Sequence, residues 1–255
     1  MSRVKRIIIW MLVPFLALTV LACKSDLPME FDSLLAAVNQ EGDNYSEQDW
    51  IQVDSMFAQL CRKYDQDRNS LNSTQQQAID LTIGKIIVAR FESFVAAVES
   101  SAANYTKHDW ECIDAVHSYL TGVYEKNKSV METGQRQAAE YAIGDYVVSR
   151  YEAFLASIDP ESNEYKEDDW AHFDADYSLL TELYDRNKNY LNADQRQVVE
   201  SLSGKYEALL VKGVLAFSLV DPLSRKWDNF KTNILSLYQR YGSFFGLLFG
   251  SGITD

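Results

Sequence analysis

Apolar side chains recur at alternating steps of three and four residues in three stretches of the chain, each of which begins at a tryptophan. Such steps place the side chains along one face of an α-helix. The three stripes are Trp50, Val53, Phe57, Leu60 and Tyr64; Trp110, Ile113, His117, Leu120 and Tyr124; and Trp170, Phe173, Tyr177, Leu180 and Tyr184. We therefore expect three amphipathic helices whose largely aromatic stripes face a partner helix.

The tryptophans that begin these stripes are also the anchors of an internal repeat. Trp50, Trp110 and Trp170 stand 60 residues apart, and an aspartate precedes each tryptophan while another follows it by four residues. These aspartates are Asp49, Asp54, Asp109, Asp114, Asp169 and Asp174. A fixed period of this kind predicts an all-α fold of tandem antiparallel helical hairpins, arranged as an elongated bundle or a short solenoid. The predicted units are repeat 1 over 31–90, repeat 2 over 91–150 and repeat 3 over 151–210.

Polar residues in front of the stripes predict where the first helix of each repeat begins. In Ser46-x-x-Asp49 and Thr106-x-x-Asp109, the hydroxyl can accept the aspartate N–H while the carboxylate accepts the N–H of the capping residue. We therefore interpret Asp49 and Asp109 as helix caps. Repeat 3 has a lysine in place of the hydroxyl residue, which leaves Asp169 to interact with the positive end of the helix dipole.

A second and longer helix is predicted in each repeat, and it crosses into the next repeat without Gly-Pro punctuation. Gly84, Gly144 and Gly204 lie inside it, where a glycine costs about 1 kcal/mol relative to alanine. We expect the close approach of a neighbouring helix to compensate for this cost. A hinge at these glycines is the alternative.

An arginine recurs near the middle of the long helix in repeats 1 and 2. A partly buried ion pair of Arg90 with Asp54, and of Arg150 with Asp114, would explain why both residue types recur. Repeat 3 has Leu210 at the arginine position, so the pairing cannot be uniform.

The stripe returns once more near the C-terminus, in a shifted register. Its residues are Trp227, Phe230, Ile234, Leu237 and Tyr241. Glycine-spaced apolar residues from Phe244 to Phe249 follow in place of a long helix. We interpret 211–255 as a degenerate terminal repeat that caps the array, because a terminal repeat must cover an open apolar face. The alternative is an exposed apolar tail that docks on a partner or a membrane.

The first 22 residues have the pattern of an export signal. Three basic residues precede an apolar run from Ile7 to Leu21 that is short for a bilayer span. The run ends in Val20-Leu21-Ala22-Cys23, which resembles the bacterial lipobox and implies lipidation of Cys23 after cleavage of residues 1–22. Residues 23–30 would then form a tether to the membrane, with an uncleaved signal anchor as the alternative. By analogy with such lipoproteins, Lys24 after the cysteine favours the outer membrane.

The charge of the chain argues against nucleic acid as a partner. The net charge is −13, and loss of residues 1–22 would remove three positive charges and no negative ones, which gives −16. Binding to a phosphate backbone needs clustered lysine and arginine. We interpret the acidic balance as a solvated surface that keeps the protein soluble.

Motifs that would indicate catalysis do not occur in the sequence: there is no phosphate-binding glycine loop, zinc-protease motif, paired-cysteine motif or nucleophile elbow. Asp49 and Asp54 stand about 140° apart around a helix and so do not share a face. His117 occupies a stripe position that holds Phe57 or Tyr177 in the other repeats, so we expect a packed ring with one hydrogen bond. We predict no enzymatic activity, no metal and no cofactor.

Two cysteines besides Cys23 stand at positions where the other repeats have no cysteine. Cys61 and Cys112 have no metal-binding or redox spacing, and we interpret them as ordinary helix residues. A disulfide between them in an oxidising compartment is the alternative.

The motif Tyr-x3-Asp-Trp-x3-Asp, together with the lipobox, resembles a family of repeat-bearing bacterial lipoproteins whose domain has no assigned function. The resemblance covers roughly residues 31 to 210. It implies a location in the cell envelope and supplies no activity, cofactor or binding residue.

Two classes of function remain open on these grounds. The first is a non-enzymatic, lipid-anchored envelope protein that serves as a structural spacer or as a scaffold for an envelope protein partner. The second is a lipoprotein that binds a peptide, glycan or small molecule in a groove between helices. Candidate contacts for such a ligand are Tyr119, Tyr141, Tyr146 and Tyr190, with half-buried packing residues as the alternative interpretation.

Overall fold

Over the residues that its structure describes, the chain folds into α-helices joined by short turns. The computed structural model describes residues 27–42, 45–159, 162 and 165–220. These residues contain seven α-helices, short 3-10 turns and no β-strand, so the all-α prediction is confirmed. The helices are α1 (Leu27–Glu41), α2 (Glu47–Asp67), α3 (Ser73–Ser101), α4 (Lys107–Asn127), α5 (Thr133–Ala156), α6 (Glu167–Asn187) and α7 (Ala193–Val220). The predicted signal peptide, Cys23 and the fourth stripe from Trp227 lie outside the described residues.

The chain divides into two compact units. The first comprises Met1–Asp159 with Asp176–Ser203, and the second comprises Pro160–Ala175 with Gly204–Asp255. Helices α1 to α5 lie wholly within the first unit.

Reciprocal hydrogen bonds fix the start of each helix in the first two repeats. The Asp49 carboxylate accepts the Ser46 N–H at 2.9 Å while the Ser46 hydroxyl accepts the Asp49 N–H at 3.3 Å. Thr106 and Asp109 form the same pair of bonds, at 2.8 and 3.2 Å. The predicted capping boxes are therefore confirmed. Each such cap is worth about 1 kcal/mol of helix stability.

The long helices begin with a second type of cap that uses glutamine. Asn72 Oδ1 accepts the Gln75 N–H, and the Gln75 side chain accepts the Asn72 N–H in return. Asn192 and Gln195 form the same box. With 29 residues, α3 spans about 44 Å at 1.5 Å per residue.

The stripe residues form the core of the first unit. Trp50, Phe57 and Tyr64 on α2 are all buried, as are the corresponding Trp110, His117 and Tyr124 on α4. Leu60, Ile113 and Tyr184 of the predicted stripes are only half-buried, and Cys61 takes a buried position beside the first stripe. Burial of each large aromatic side chain contributes roughly 1.5–3 kcal/mol relative to exposure.

Helix α1 is not predicted by the three stripes that begin at tryptophans. It supplies Phe31, which packs edge-on against Phe57 at 6.5 Å and Tyr64 at 6.3 Å between ring centres. The 60-residue period nevertheless indicates this helix, because Phe31, Leu34 and Val38 correspond to Phe91, Phe94 and Val98 one repeat later. Helix α1 therefore corresponds to the second half of a long helix.

Two of the glycines inside the long helices admit a glutamine from the next long helix. A Cβ atom on Gly84 would overlap the Gln135 side-chain amide, and one on Gly144 would overlap that of Gln195. Gln135 Nε2 donates to the Leu81 carbonyl at 2.9 Å, while its Oε1 accepts the Glu132 N–H at 3.0 Å. The close approach predicted at these two glycines is confirmed, and a side chain occupies the space that the missing Cβ leaves.

Candidate functional site

The aspartates in front of the tryptophans serve as helix caps. Asp49 and Asp109 complete the boxes described above, and hydrogen bonds from Thr106 lower the pKa of the Asp109 carboxyl. In the second unit, the Asp169 carboxylate accepts the Lys166 N–H at 2.7 Å, although no hydroxyl is present to return the bond. Their recurrence is thus explained by helix initiation.

The aspartates behind the tryptophans bind the recurrent arginines. Arg90 Nε lies 3.4 Å from Asp54 Oδ1, and Arg90 Nη2 lies 3.5 Å from Asp54 Oδ2, so the pair is bidentate. Arg150 Nε lies 3.7 Å from Asp114 Oδ2 in the next repeat. The side chains of both arginines are about nine-tenths buried. The predicted ion pairs are confirmed in the two repeats that contain the arginine.

Each of these arginines also covers the face of the tryptophan in its own repeat. The guanidinium carbon of Arg90 lies 4.3 Å from the centre of the Trp50 ring, and that of Arg150 lies 4.2 Å from the centre of the Trp110 ring. This distance is well inside the range of a cation–π interaction. The recurrence of opposite charges predicts the pairing of each arginine with its aspartate but not its contact with the tryptophan.

The carboxylates of the two clusters have different surroundings. Burial raises the pKa of Asp54, and the charge of Arg90 only partly opposes this effect. In repeat 2, the Tyr146 hydroxyl donates to Asp114 Oδ1 at 2.5 Å, whereas repeat 1 has Ile86 at that position. Tyr146 therefore completes the hydrogen bonding of a carboxylate that its arginine holds more loosely.

Repeat 3 packs its tryptophan in another way. Leu210 replaces the arginine, and the Trp170 ring lies where a Cβ atom on Gly213 would stand. The corresponding residues in the other repeats are Ser93 and Ala153, which both carry a Cβ. Burial raises the pKa of Asp174 in this unit. The tryptophan thus stays buried without the arginine that covers its counterparts.

His117 is buried among aromatic side chains. It is 1% exposed, and it stacks on Tyr146 with 4.2 Å between ring centres. Neither ring nitrogen has a partner in good hydrogen-bonding geometry, and a weak hydrogen bond with the Ile143 backbone only slightly opposes the lowering of the pKa of His117. Burial, reinforced by the charge of Arg186, lowers the pKa of His117 to about 3. The neutral ring is therefore a packing residue.

The two cysteines are separate thiols. Cys61 is buried and Cys112 is exposed, and both are free, so the alternative of a disulfide between them is not realised. Burial raises the pKa of the Cys61 thiol to about 11. Its sulfur is consequently a poor nucleophile at neutral pH.

A cleft opens beside the tryptophan of repeat 1. It has a volume of about 670 Å³ and lies between the second half of α3 and the start of α4, next to the start of α2. Its aromatic lining consists of Tyr45, Trp50, Phe94 and Tyr105, and its charged lining includes Glu47, Arg90 and Asp109. We call it the first cleft. Although Trp50 is only 7% exposed, its ring reaches the wall of this cleft.

A second cleft occupies the corresponding place one repeat later. Its volume is about 620 Å³, and its wall contains Tyr105, Trp110, Arg150 and Phe154, the counterparts of Tyr45, Trp50, Arg90 and Phe94. Both volumes fall within the usual range of about 300–1,000 Å³ for ligand sites. The period of the sequence therefore produces two equivalent concave surfaces, which sequence analysis did not locate.

Acidic side chains predominate in the second cleft. Five carboxylates line it, from Glu99, Glu111, Asp114, Glu152 and Asp176. Its two cations are already engaged, because Lys107 Nζ lies 2.9 Å from Asp176 Oδ1 and Arg150 binds Asp114. Glu99 and Glu152 are exposed and form no ion pair within the described part of the chain. The second cleft therefore carries a net negative charge.

The tyrosines suggested as ligand contacts do not line either cleft. Tyr146 is fully buried, which contradicts its assignment to a surface groove. Tyr119 and Tyr141 are exposed at other places, and the Tyr190 hydroxyl donates to Glu125 Oε1 at 2.5 Å. The tyrosine that does recur in the clefts belongs to the repeat motif itself, as Tyr45 and Tyr105.

Within 27–42, 45–159, 162 and 165–220, no group of three or more His, Cys, Asp or Glu side chains is arranged to hold a metal ion. No helix in that part of the chain combines the length and the apolar character needed to cross a bilayer. Comparison with protein families, with curated proteins and with solved structures gives no match to this chain.

Proposed function

We propose that the protein is a lipid-anchored, non-enzymatic protein of the bacterial cell envelope that acts as a structural spacer or a protein-interaction scaffold. The observation that supports this proposal is the use of the recurrent polar side chains in packing. Asp49 and Asp109 cap helices, and Asp54 and Asp114 bind buried arginines. A catalytic unit repeated along the chain would need polar side chains directed at a substrate. Here the repeated carboxylates are directed at the protein itself.

The N-terminal sequence supports the location. Residues 1–22 have the features of an export signal, and Val20-Leu21-Ala22-Cys23 resembles a lipobox. Several acyl chains on Cys23 would hold a membrane far more firmly than one chain. Lys24 supports sorting to the outer membrane, with the side of that membrane left open. The membrane is thus proposed as a partner through the anchor, and nucleic acid is not.

Metabolic labelling with an alkyne fatty acid tests the anchor. We expect the wild-type chain and the Cys112→Ala control to carry the label and to fractionate with the outer membrane. Cys23→Ala should lose the label and leave the membrane fraction. Label retained by Cys23→Ala would refute the lipid anchor.

Site-specific photo-cross-linking in cells distinguishes a scaffold from a spacer. A photoreactive residue at Leu179, which is 51% exposed in the wall of the second cleft, would report on surface contacts, and one at the buried Tyr146 serves as the matched control. A scaffold predicts a discrete adduct at the exposed position and none at the buried one. A spacer predicts no discrete adduct at either.

The second candidate is a lipoprotein that binds a peptide, glycan or small molecule between helices. The observation that favours it is the pair of equivalent clefts beside Trp50 and Trp110. Native mass spectrometry of the full chain, released from membranes in mild detergent, tests this candidate. A stoichiometric bound molecule other than lipid would favour the binder over the spacer.

A further inference from the structure

The two clefts give the proposed scaffold a definite surface. Their aromatic and arginine wall residues are equivalent in consecutive repeats, their volumes are similar, and both lie in the same compact unit. We propose that they bind lysine and arginine side chains of an extended, basic polypeptide partner. This inference depends on the proposed scaffold function and specifies the chemistry of its partner.

The charge of the lining is the first argument. In the second cleft, Lys107 is paired with Asp176 and Arg150 with Asp114. The carboxylates of Glu99, Glu111 and Glu152 then face a ligand that enters the cleft. Glu111 also has the His108 ring 3.6 Å away, which is charged only when protonated, and it interacts with Lys107, whose Nζ is bound to Asp176. A cationic ligand would be attracted to this surface, and an anionic ligand would be repelled.

The apolar part of the lining is the second argument. Leu179 lies in the wall of the second cleft and is 51% exposed, and Ala153 and Ala156 lie on the same wall. Lysine and arginine bury their aliphatic stems on apolar surface while the charged group stays near water and carboxylates. A wall that combines exposed leucine and alanine with glutamates fits such side chains.

The orientation of the indoles argues against a glycan. Sugar rings stack on an open aromatic face, but Arg90 covers the face of Trp50 and Arg150 covers the face of Trp110. The edges of the indoles are contacted as well, since Tyr45 and Tyr105 pack edge-on at 5.1 and 5.0 Å between ring centres. Neither indole therefore offers an open ring face, and both tryptophans are only 7% exposed.

Recurrence of the cleft has a further consequence for the partner. A polypeptide with two basic blocks could occupy both clefts, and the second contact would then be intramolecular. We expect such a peptide to bind more tightly than a peptide with one block. Equal affinity for peptides with one and with two basic blocks would instead indicate a single acidic surface patch that attracts basic peptides non-specifically.

Fluorescence anisotropy with a labelled peptide of alternating lysine and alanine tests the proposal on the full chain in detergent. The test variant is Glu99→Lys with Glu152→Lys, and the matched control is Glu182→Lys with Glu200→Lys, two exposed residues outside both clefts. The two double variants change the net charge equally. We expect the Kd to rise roughly tenfold in the test variant and less than about twofold in the control.

Equal weakening in the two double variants would overturn the proposal, because it would mean that net charge alone attracts the peptide. No binding of the basic peptide at low salt, or preferential binding of an acidic peptide or a glycan, would overturn it as well. Thermal melting by circular dichroism checks that the variants fold. If Glu99→Lys with Glu152→Lys fails to fold, Glu47→Gln in the first cleft provides the same test with the mutation of a single exposed side chain.

Cross-linking in cells and peptide binding together distinguish failure of the scaffold function from failure of the cleft chemistry. A discrete cellular adduct together with no binding of the basic peptide would leave the scaffold in place and reject the cleft chemistry. Peptide binding that responds to the cleft variants, without any cellular adduct, would support the cleft chemistry and reject the scaffold in cells.

Discussion

The guanidinium group of Arg90 lies over the face of the Trp50 indole, with its carbon 4.3 Å from the ring centre, while its nitrogens bind the Asp54 carboxylate. One side chain of the long helix therefore holds two side chains of the preceding helix. Because Arg150 does the same in repeat 2, the recurrent Trp, Asp and Arg form one structural unit rather than three separate features.

A double-mutant cycle on this unit should show strong coupling. Arg90→Leu leaves the Asp54 carboxylate largely buried without its cation, so we expect a loss of about 2–4 kcal/mol in the free energy of unfolding. Combination with Asp54→Leu should cost about 1–3 kcal/mol less than the sum of the single changes. Urea denaturation measures both quantities.

The exposed pair of Lys188 and Asp185 provides the control for that cycle. Its atoms lie 3.1 Å apart on half-exposed side chains, so Lys188→Leu should change the free energy of unfolding by at most about 1 kcal/mol. Additive effects of Arg90→Leu and Asp54→Leu would show that the buried pair is not energetically coupled.

His117 should make the fold sensitive to acid. Its pKa is lowered to about 3 in the folded chain, against an ordinary value near 6.5, so below pH 6.5 the unfolded chain takes up a proton that the folded chain does not. Stability is therefore retained above about pH 6.5 and is lost as the pH falls toward 3. Relative to His117→Phe, we expect the wild type to lose about 2 kcal/mol between pH 8 and pH 5.

Repeat 1 offers a reciprocal test of the histidine, because Phe57 occupies the position that corresponds to His117 and is also buried. Introduction of Phe57→His into the His117→Phe variant should restore the acid sensitivity. Parallel stability-versus-pH curves for the wild type and His117→Phe would contradict the burial of a neutral ring.

Much of the fold could be predicted from the period, because helix caps and stripes are local patterns. Ser46 with Asp49 and Asn72 with Gln75 are three residues apart, so their hydrogen bonds follow from helix geometry alone. The ion pair of Arg90 with Asp54 was predictable for another reason, since two recurrent opposite charges favour pairing.

The rest of the site depends on which way side chains point between helices, and a single stripe does not determine this. The stacking of Arg90 on Trp50 requires the crossing geometry of α2 and α3. The clefts are spaces left between packed helices, and no residue type marks a space. Gln135 illustrates the same limit: its capping role is local, but its contact with Gly84 is 51 residues away in sequence.

The contact between Gly84 and Gln135 predicts that the effect of Gly84→Ala on stability changes sign when Gln135 is removed. Gly84→Ala improves helix propensity by about 1 kcal/mol but displaces the amide of Gln135, with loss of two hydrogen bonds worth about 1 kcal/mol each. We expect a net loss of about 1 kcal/mol in the wild-type chain. In a Gln135→Ala background, Gly84→Ala should instead stabilise by about 1 kcal/mol.

Thermal or urea denaturation of the four chains measures this cycle. Gly134 lies one residue before Gln135, and a Cβ atom there would meet nothing within 4 Å, so Gly134→Ala serves as a control for helix propensity alone. Equal effects of Gly84→Ala with and without Gln135 would contradict the contact.

The most direct test of the account is the free energy of unfolding of Trp110→Ala, measured by urea denaturation beside the binding of the basic peptide. The recurrent indoles form the packed core of the repeats, and Trp110 is 7% exposed. This packing predicts a loss of about 3–5 kcal/mol, as for other buried aromatic side chains. An unchanged denaturation midpoint, with loss of peptide binding, would contradict it and make the tryptophan a recognition residue.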